Sequence, residues 1–519
     1  MKNKKGFTLV ELLAVIAILA ILVIIALPNV IRMYTDAKKN SFVTEAQSLA
    51  KNVASKFMSE NMKGNHIKVV SNKENSLDIS GEKLEYNFEL DNNGKIKNMF
   101  ISNGTYCVST NKDYTQITKE DISDKCSYEE LHNVAGTLMN KFYEKLERTD
   151  RGLVSSIEFF SDGVPKEGAT SIVDVSEAQN GSIKMYVMQS DENSSLIDLK
   201  IVGKGKISFP EDSTQLLAFY HYSACSGPQT NLKKIIFNNS IDTLRTTNMK
   251  KMFEYDYKLE ELDLSGFDTS HVTTMSYMLC GGTATEIKGL TNFNTSKVTK
   301  MDAMLASTKV KTLDVSSFDT SKVTTMNYMF GNSHATEIKG LENFNTSNVS
   351  IMSLMFYATV MNTLDVSNFD TSNVTNMGYM FKSCLAKEIK GLTNFNTSKA
   401  TSMEGMFEST QVKSLDLLSF DTSNVTTMYG MFKGSQATEI KGLTNFKTSK
   451  VTSMGSMFEY SKMKSLDLSS FDTSKVVQSR MNSMFKNSVA TTGYARTQSD
   501  ATKFNATSNK PSGLTFTVK

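Results

Sequence analysis

The sequence has no tryptophan, and only five each of proline, cysteine and histidine among 519 residues. Each scarcity excludes something. Five cysteines over this length rule out a scaffold held mainly by disulfides. The histidines, His66, His132, His221, His271 and His334, fall in no His-Glu-x-x-His pattern. None has cysteine or carboxylate partners at metal-ligand spacing, so no metal is expected. His221 lies four residues before Cys225, but no third group orients them as base and nucleophile. A P-loop and a Gly-x-Ser-x-Gly elbow are also missing. Neither catalysis nor a cofactor is expected. Charge of one sign is scarce too: 57 Lys and Arg against 54 Asp and Glu leave a net +3. A nucleic-acid clamp would carry a basic stripe, so no nucleic-acid partner is expected.

Long apolar runs are equally rare, with one exception. Residues 7–27, from Phe7 to Leu27, are apolar except for Thr8 and Glu11, matching the ~20 residues a helix needs to cross a bilayer. Lys2, Lys4 and Lys5 hold the near end inside and send the rest out. No Ala-x-Ala site follows; Leu27-Pro28-Asn29 does, so the helix is expected to stay in the mature protein. A carboxylate such as Glu11 is costly inside a membrane unless paired, which makes it a functional candidate.

The stretch Lys5-Gly6-Phe7-Thr8-Leu9-Val10-Glu11-Leu12 resembles the type IV prepilin processing motif, and Pro28 falls where pilins carry a helix-kinking proline. The resemblance implies cleavage after Gly6 by a prepilin peptidase and methylation of the new terminus on Phe7. It implies that Glu11 pairs with the terminal amine of a neighbouring pilin, with the pilus assembly machinery as a further partner. The helix is expected to continue to about residue 60, where Val43, Ala46, Ala50, Val53 and Phe57 form one apolar stripe. Residues 84–90 alternate like a strand, 91–94 make a turn with an Asn-Gly pair, and 95–101 return. Residues 7–130 are therefore expected as a pilin-like unit behind a leader of residues 1–6. Cys107 and Cys126 flank a polar stretch; a bridge between them would stabilise by roughly 3 kcal/mol. Helical spacing at Val134, Leu138, Phe142 and Leu146 predicts a helical linker over 131–150.

From about residue 245 the sequence repeats. Phe-Asp-Thr-Ser opens at Phe267, Phe318, Phe369, Phe420 and Phe471, every 51 residues, with Phe293, Phe344, Phe395 and Phe446 opening similar tetrads between them. The unit is thus 25 or 26 residues, and ten copies are marked by methionines from Met249 to Met481. In one copy, Leu313-Asp-Val-Ser316 reads as a strand and Asp319-Thr-Ser321 as a turn and helix cap. Val323, Met326, Met329 and Phe330 then read as one face of a short helix. A single copy cannot bury both faces, so the copies are expected to stack into a solenoid roughly 45–50 Å long. Methionine at helical spacing in every coil reads as core filling rather than a metal or redox device.

These copies resemble the BspA-like leucine-rich repeats of bacterial surface proteins, which implies adhesion to a surface, host or cell-wall ligand. The expected fold class is α+β: a long N-terminal pilin helix on a small antiparallel sheet, then a leucine-rich-repeat solenoid. An N-terminal cap and early coils are assigned to 151–245, repeats to 246–494 and a C-terminal cap to 495–519. Alternate copies carry Glu-Ile-Lys-Gly-Leu, with one extra residue read as a glycine bulge. Aligning the copies puts Lys288, Asp314, Lys339, Asp365, Lys390, Asp416, Lys441 and Asp467 in one column of alternating sign. The column serves either coil register or ligand recognition.

The function expected is that of a minor pilin or pilin-like adhesin, membrane-inserted before assembly and then displayed on a surface filament. Its alternatives are a membrane-anchored repeat adhesin outside any filament and a DNA-uptake pilin.

Overall fold

A computed structural model describes residues 9–62, 69–71, 84–90, 95–110, 112–123, 134–147, 149–163, 168–218, 221–223, 227–229 and 231–519. The chain divides into two compact units, residues 1–134 and 135–519.

In the first unit, helix α1 (Leu9–Met62) is followed by four strands: β1 (Val69–Ser71), β2 (Glu85–Leu90), β3 (Ile96–Ser102) and β4 (Cys107–Thr110). They form one antiparallel sheet in the order β1-β2-β3-β4. The hairpin expected at 84–101 is present, with Tyr86 opposite Ile101 and Phe88 opposite Met99. Phe42, Ala46, Leu49, Ala50, Val53 and Phe57 recur at the three- and four-residue steps of one helix face and are buried. They pack with Tyr86, Phe88, Leu90, Met99, Ile101 and Val108 of the sheet. Polar contacts fix the helix beside the loop after β4: Lys39 Nζ donates to the Ile122 carbonyl (2.9 Å), and Gln47 Nε2 to that of Ile117 (3.1 Å).

The helical linker expected over 131–150 is not found. Strand β5 (Val134–Thr137) and a 3-10 turn (Phe142–Lys145) occupy its described part. Leu138 bridges Ser176 and donates its amide to the Ser208 carbonyl (2.8 Å). Leu138, Phe142 and Leu146 enter the core of the second unit, a requirement that a strand and a turn satisfy at the same spacing as a helix. Next come β6 (Val154–Phe160), β7 (Ala169–Asp174), β8 (Ile183–Gln189), β9 (Ile197–Gly203), β10 (Lys206–Ser208), β11 (His221–Ser223), β12 (Gly227–Gln229), β13 (Lys234–Ile236), β14 (Ile241–Asp242), β15 (Glu261–Asp263) and β16 (Glu286–Lys288). A seven-stranded sheet runs β16-β15-β13-β6-β9-β8-β7. Its β7-β8-β9 end is antiparallel, and from β9 through β6, β13, β15 and β16 it is parallel. The antiparallel end thus presents a finished edge on which the parallel coils stack.

Each later coil contributes one three- or four-residue strand: β17 (Thr312–Asp314), β18 (Glu337–Lys339), β19 (Thr363–Asp365), β20 (Glu388–Lys390), β21 (Ser414–Asp416), β22 (Glu439–Lys441) and β23 (Ser465–Leu468). They pair in parallel two by two, β17 with β18, β19 with β20 and β21 with β22. On another face, single-residue parallel bridges climb from Asp212 through Asn248, Thr274 and Lys300 to Ser453.

The short helix expected at the methionines is replaced by turns. Met329, Gly331 and Ser333 each donate to the carbonyl three residues back, in Met326, Tyr328 and Phe330. Met326, Tyr328 and Phe330 donate instead to Ile351, Ser353 and Met355 of the next coil, at 2.9–3.1 Å. Alternate amides therefore leave the coil, which an α-helix cannot allow. Tyr328 and Asn332 sit at φ +58° and +56°, and residues four apart repeat this in neighbouring coils, as at Ala303 and Ser307. Turns repeating every four residues put Met326, Met329 and Phe330 inward, the spacing of a helix face.

The Asp-Thr-Ser triplet ties coils together rather than capping a helix. Asp319 Oδ1 accepts from the Ser321 amide (2.9 Å), while the buried Thr320 hydroxyl donates to the Asn345 carbonyl of the next coil (2.9 Å). The glycine of Glu-Ile-Lys-Gly-Leu makes no bulge: β17 and β18 pair without a shift. Gly340 (φ +87°) starts a 3-10 turn at Leu341–Asn343, and a Cβ there would lie 2.3 Å from Ser316 Cα. Inside, Phe330, Phe356, Phe381, Phe407, Phe432, Phe458 and Phe485 stack at 5.6–6.1 Å, each within 19° of parallel to the next. Strand β24 (Thr492–Ala495), helix α2 (Gln498–Asn505) and strand β25 (Thr515–Val518) cover that end, with Phe504 and Phe516 against Phe485.

Candidate functional site

The processing positions Gly6 and Phe7 lie outside the described residues. Glu11 and Pro28 fall within the span of α1, but their side chains lie outside the described part, as does the apolar character of 7–27. Among the described residues no helix is long and apolar enough to cross a membrane. Cys107 is disulfide-bonded, and Cys126, its expected partner, lies outside the described residues.

The strand column is present in register. Asp263 faces Lys288, Asp314 faces Lys339, Asp365 faces Lys390, and Asp416 faces Lys441. Its carboxylates turn back on their own chain: Asp314 Oδ1 accepts from the Ser316 amide (3.1 Å) and hydroxyl (2.5 Å). Those bonds, led by the hydroxyl's, hold the Asp314 carboxyl below the usual range, with Lys339 a minor influence. Ion pairs of the column go elsewhere, Lys288 to Glu286 (3.7 Å) and Asp467 to Lys519 (2.5 Å).

A second column, absent from the sequence reading, stands on the turns five residues after each repeat methionine. It runs Glu254, Cys280, Ala306, Gly331, Tyr357, Lys382, Glu408, Lys433, Glu459 and Lys486. After Glu254, its next three members are small: Cys280 and Ala306 are packed by Tyr255, Tyr277 and Tyr328, and Gly331 follows. Burial, reinforced by Glu254, pushes the Cys280 thiol up to about 12, which leaves it unreactive. Its second half is charged. Lys382 pairs with Glu408 (3.0 Å), and Glu459 pairs with both Lys433 (3.4 Å) and Lys486 (3.6 Å).

Beside this column the residue after each repeat methionine also changes from coil to coil, for example Ser276, Asp302, Asn327, Glu404 and Tyr429. The methionines themselves, and those three residues on, do not change. A solenoid needs one interior for every coil, whereas its outward turn positions are free to differ, and differing positions can carry specificity. This contrast among copies was the signal available in the sequence. Two shallow grooves lie on this variable face. One, of about 470 Å³, is lined by Lys250, Thr273, Ser276, Tyr277, Lys300 and Asp302. The other, of about 630 Å³, is lined by Glu404, Thr427, Tyr429, Thr452, Lys475 and Arg480. Burial, then its hydrogen bond to Glu404, raises the neighbouring Tyr379 hydroxyl above its usual range.

Residues 1–27 match the prokaryotic N-terminal methylation motif. Neither a curated protein nor a solved structure matches the chain. The repeats match one family model four times, in overlapping register, at 222–337, 279–391, 332–439 and 385–497. Those matches together span more than half of the chain, which therefore belongs to the family described as Mycoplasma protein of unknown function, DUF285.

Proposed function

We infer that this chain is a pilin-like surface protein whose repeat unit is a binding head and not a catalyst. The observation that carries the reading is the methylation motif at 1–27, joined to a 54-residue helix whose later turns pack on a four-stranded antiparallel sheet. In this reading a prepilin peptidase cuts after Gly6 and methylates Phe7, and residues 7–27 hold the protein in the membrane until assembly. Glu11 receives the terminal amine of a neighbouring pilin, because a carboxylate in that setting needs a buried positive partner. Pro28 shapes the helix where it leaves the membrane. The Cys107 bridge closes onto Cys126 and fastens the loop after β4. Leucine-rich-repeat character and adhesion are the finer part of the reading. They rest on the coil-by-coil interior and on the outward positions that differ between coils. The strand column, whose carboxylates other than Asp416 accept from the serine two residues on, serves coil register and solubility.

Mass spectrometry of the mature N-terminus, in cells with and without the prepilin peptidase, tests this. A peptide beginning with methylated Phe7 that vanishes without the peptidase is expected. An intact Met1 terminus in both strains would leave a membrane-anchored repeat protein outside any filament.

A further inference from the structure

The two grooves on the variable face lie six coils apart, roughly 29 Å at ~4.8 Å per coil, yet, beside Asn327 in the first and Val477 in the second, they share a set of groups. Each has one tyrosine ring, one carboxylate, a row of threonine or serine hydroxyls, and two basic side chains. The carboxylates already have partners within the chain. Asp302 accepts from the Ser276 hydroxyl (3.3 Å) and from Thr325, and Glu404 accepts from the Tyr379 hydroxyl. The cations do not: among the described residues Lys250, Lys300, Lys475 and Arg480 form no ion pair, and all four are exposed. Each groove therefore carries one positive charge in excess, beside a tyrosine and a bank of hydroxyls.

We propose that the turn face binds a linear polysaccharide bearing spaced carboxylates, lying along the solenoid across both grooves. The proposal rests on the binding-head reading above and names its ligand class. The C–H face of a sugar ring packs on Tyr429, which is 42% exposed, while Tyr277, packed on Cys280 and Ala306 with Lys251 Nζ 5.3 Å from its ring centre, forms the wall of the first groove. Sugar hydroxyls pair with the threonine and serine hydroxyls and with the free lone pairs of Asp302 and Glu404. The unpaired cations take the carboxylates. A protein partner would want an apolar centre in its interface, and the grooves supply as apolar surface only their tyrosine rings and, in the second, the exposed Val477. Double-stranded DNA carries a charge every ~1.7 Å, far denser than one excess cation per groove can match. A ligand extended along the rod gains from engaging two sites at once.

The test measures binding of the full-length protein in detergent micelles to hyaluronate, polygalacturonate and alginate. The same polymers with their carboxyls reduced to alcohols and a double-stranded DNA serve as comparators. At least one acidic polymer is expected to bind, its reduced form about tenfold more weakly, and the DNA more weakly still. Lys300→Gln with Arg480→Gln, and separately Tyr429→Ala, are each expected to weaken binding about tenfold without moving the thermal midpoint. No binding to any of the three polymers, equal binding of a reduced form, tighter binding of the DNA, or variants that bind like the parent would each overturn the proposal. These outcomes are separable from the pilin reading, because N-terminal processing is read in cells and polysaccharide binding on the purified chain.

Discussion

The strand face and the turn face of the head both carry columns of alternating charge, and the two are built differently. On the strands, Asp314 and Lys339 stand opposite each other in register, but Asp314 turns one carboxylate oxygen to Ser316 instead. On the turns, Lys433, Glu459 and Lys486 occupy successive coils and make ion pairs, with the Glu459 side chain only 8% exposed. Alternation of sign is therefore not what makes a ladder hold coils together. Burial of one partner is, because a carboxylate withdrawn from water is costly once its cations are taken away, whereas an exposed pair contributes at most ~1 kcal/mol.

The largest effect follows directly from that contrast. Lys433→Met combined with Lys486→Met strands the Glu459 carboxylate and is expected to cost about 2 kcal/mol, less than a fully buried pair because both lysines are partly exposed. Lys339→Met combined with Lys390→Met, on the strand face, is expected to stay within about 0.5 kcal/mol. Urea unfolding of the two double variants compares them. Adding Glu459→Gln to the first should restore most of the loss, since the stranded charge is then gone. Equal costs on the two faces, or no recovery, would refute the distinction.

What could be read from the sequence followed what is the same between copies. The 51-residue period, the buried Met326 and Phe330, the helix stripe around Ala46 and Val53 and the hairpin at 84–101 all announce themselves by identity or by spacing. The errors were errors of conformation at correct spacing. Met326, Met329 and Phe330 point inward as expected, but turns repeating every four residues satisfy that pattern as well as a helix. Leu138, Phe142 and Leu146 are core residues, but of a strand and a turn. The register of the strand column was legible because it depends only on counting; its contacts were not, because Ser316 competes for Asp314 from two residues away. The turn column was missed because Cys280, Ala306, Tyr357, Lys382 and Glu408 share no residue type. Aligning copies on what they share hides the positions at which they differ.

A smaller effect isolates the serine bonds of the strand face. Asp314→Ala removes the acceptor for the Ser316 amide and hydroxyl and is expected to cost about 1 kcal/mol near neutral pH. The contribution has a pH signature. The Asp263, Asp314 and Asp365 carboxyls all titrate below their ordinary range because each accepts from the serine two residues on. A folded-state value below the unfolded ~3.9 gives stability that is complete above that value and is lost as pH falls through the folded one. The parent should therefore lose its advantage over Asp314→Ala on acid titration toward pH 2. A pH-independent gap between them would mean that the serine bonds are not what Asp314 contributes.

The smallest effect comes from the one coil that breaks the serine rule. Asp416 is followed two residues later by Leu418 instead of serine, and accepts only from its amide, at 3.2 Å. Leu418 is also 57% exposed, so its side chain gains little from its place. Leu418→Ser supplies the missing hydroxyl in the geometry already adopted by Ser316 and Ser367, whose backbone amides donate to the preceding aspartates at 3.1 and 3.0 Å. The substitution is expected to stabilise the head by about 0.5 kcal/mol, the low end of a net hydrogen bond at an exposed site. Urea unfolding measures the gain, and Leu418→Ala, which removes the exposed leucine without supplying a hydroxyl, separates the two causes. An equal gain in Leu418→Ala would assign the stabilisation to removal of an exposed leucine. No gain in Leu418→Ser would show that the Asp–Ser bond does not hold the coils together.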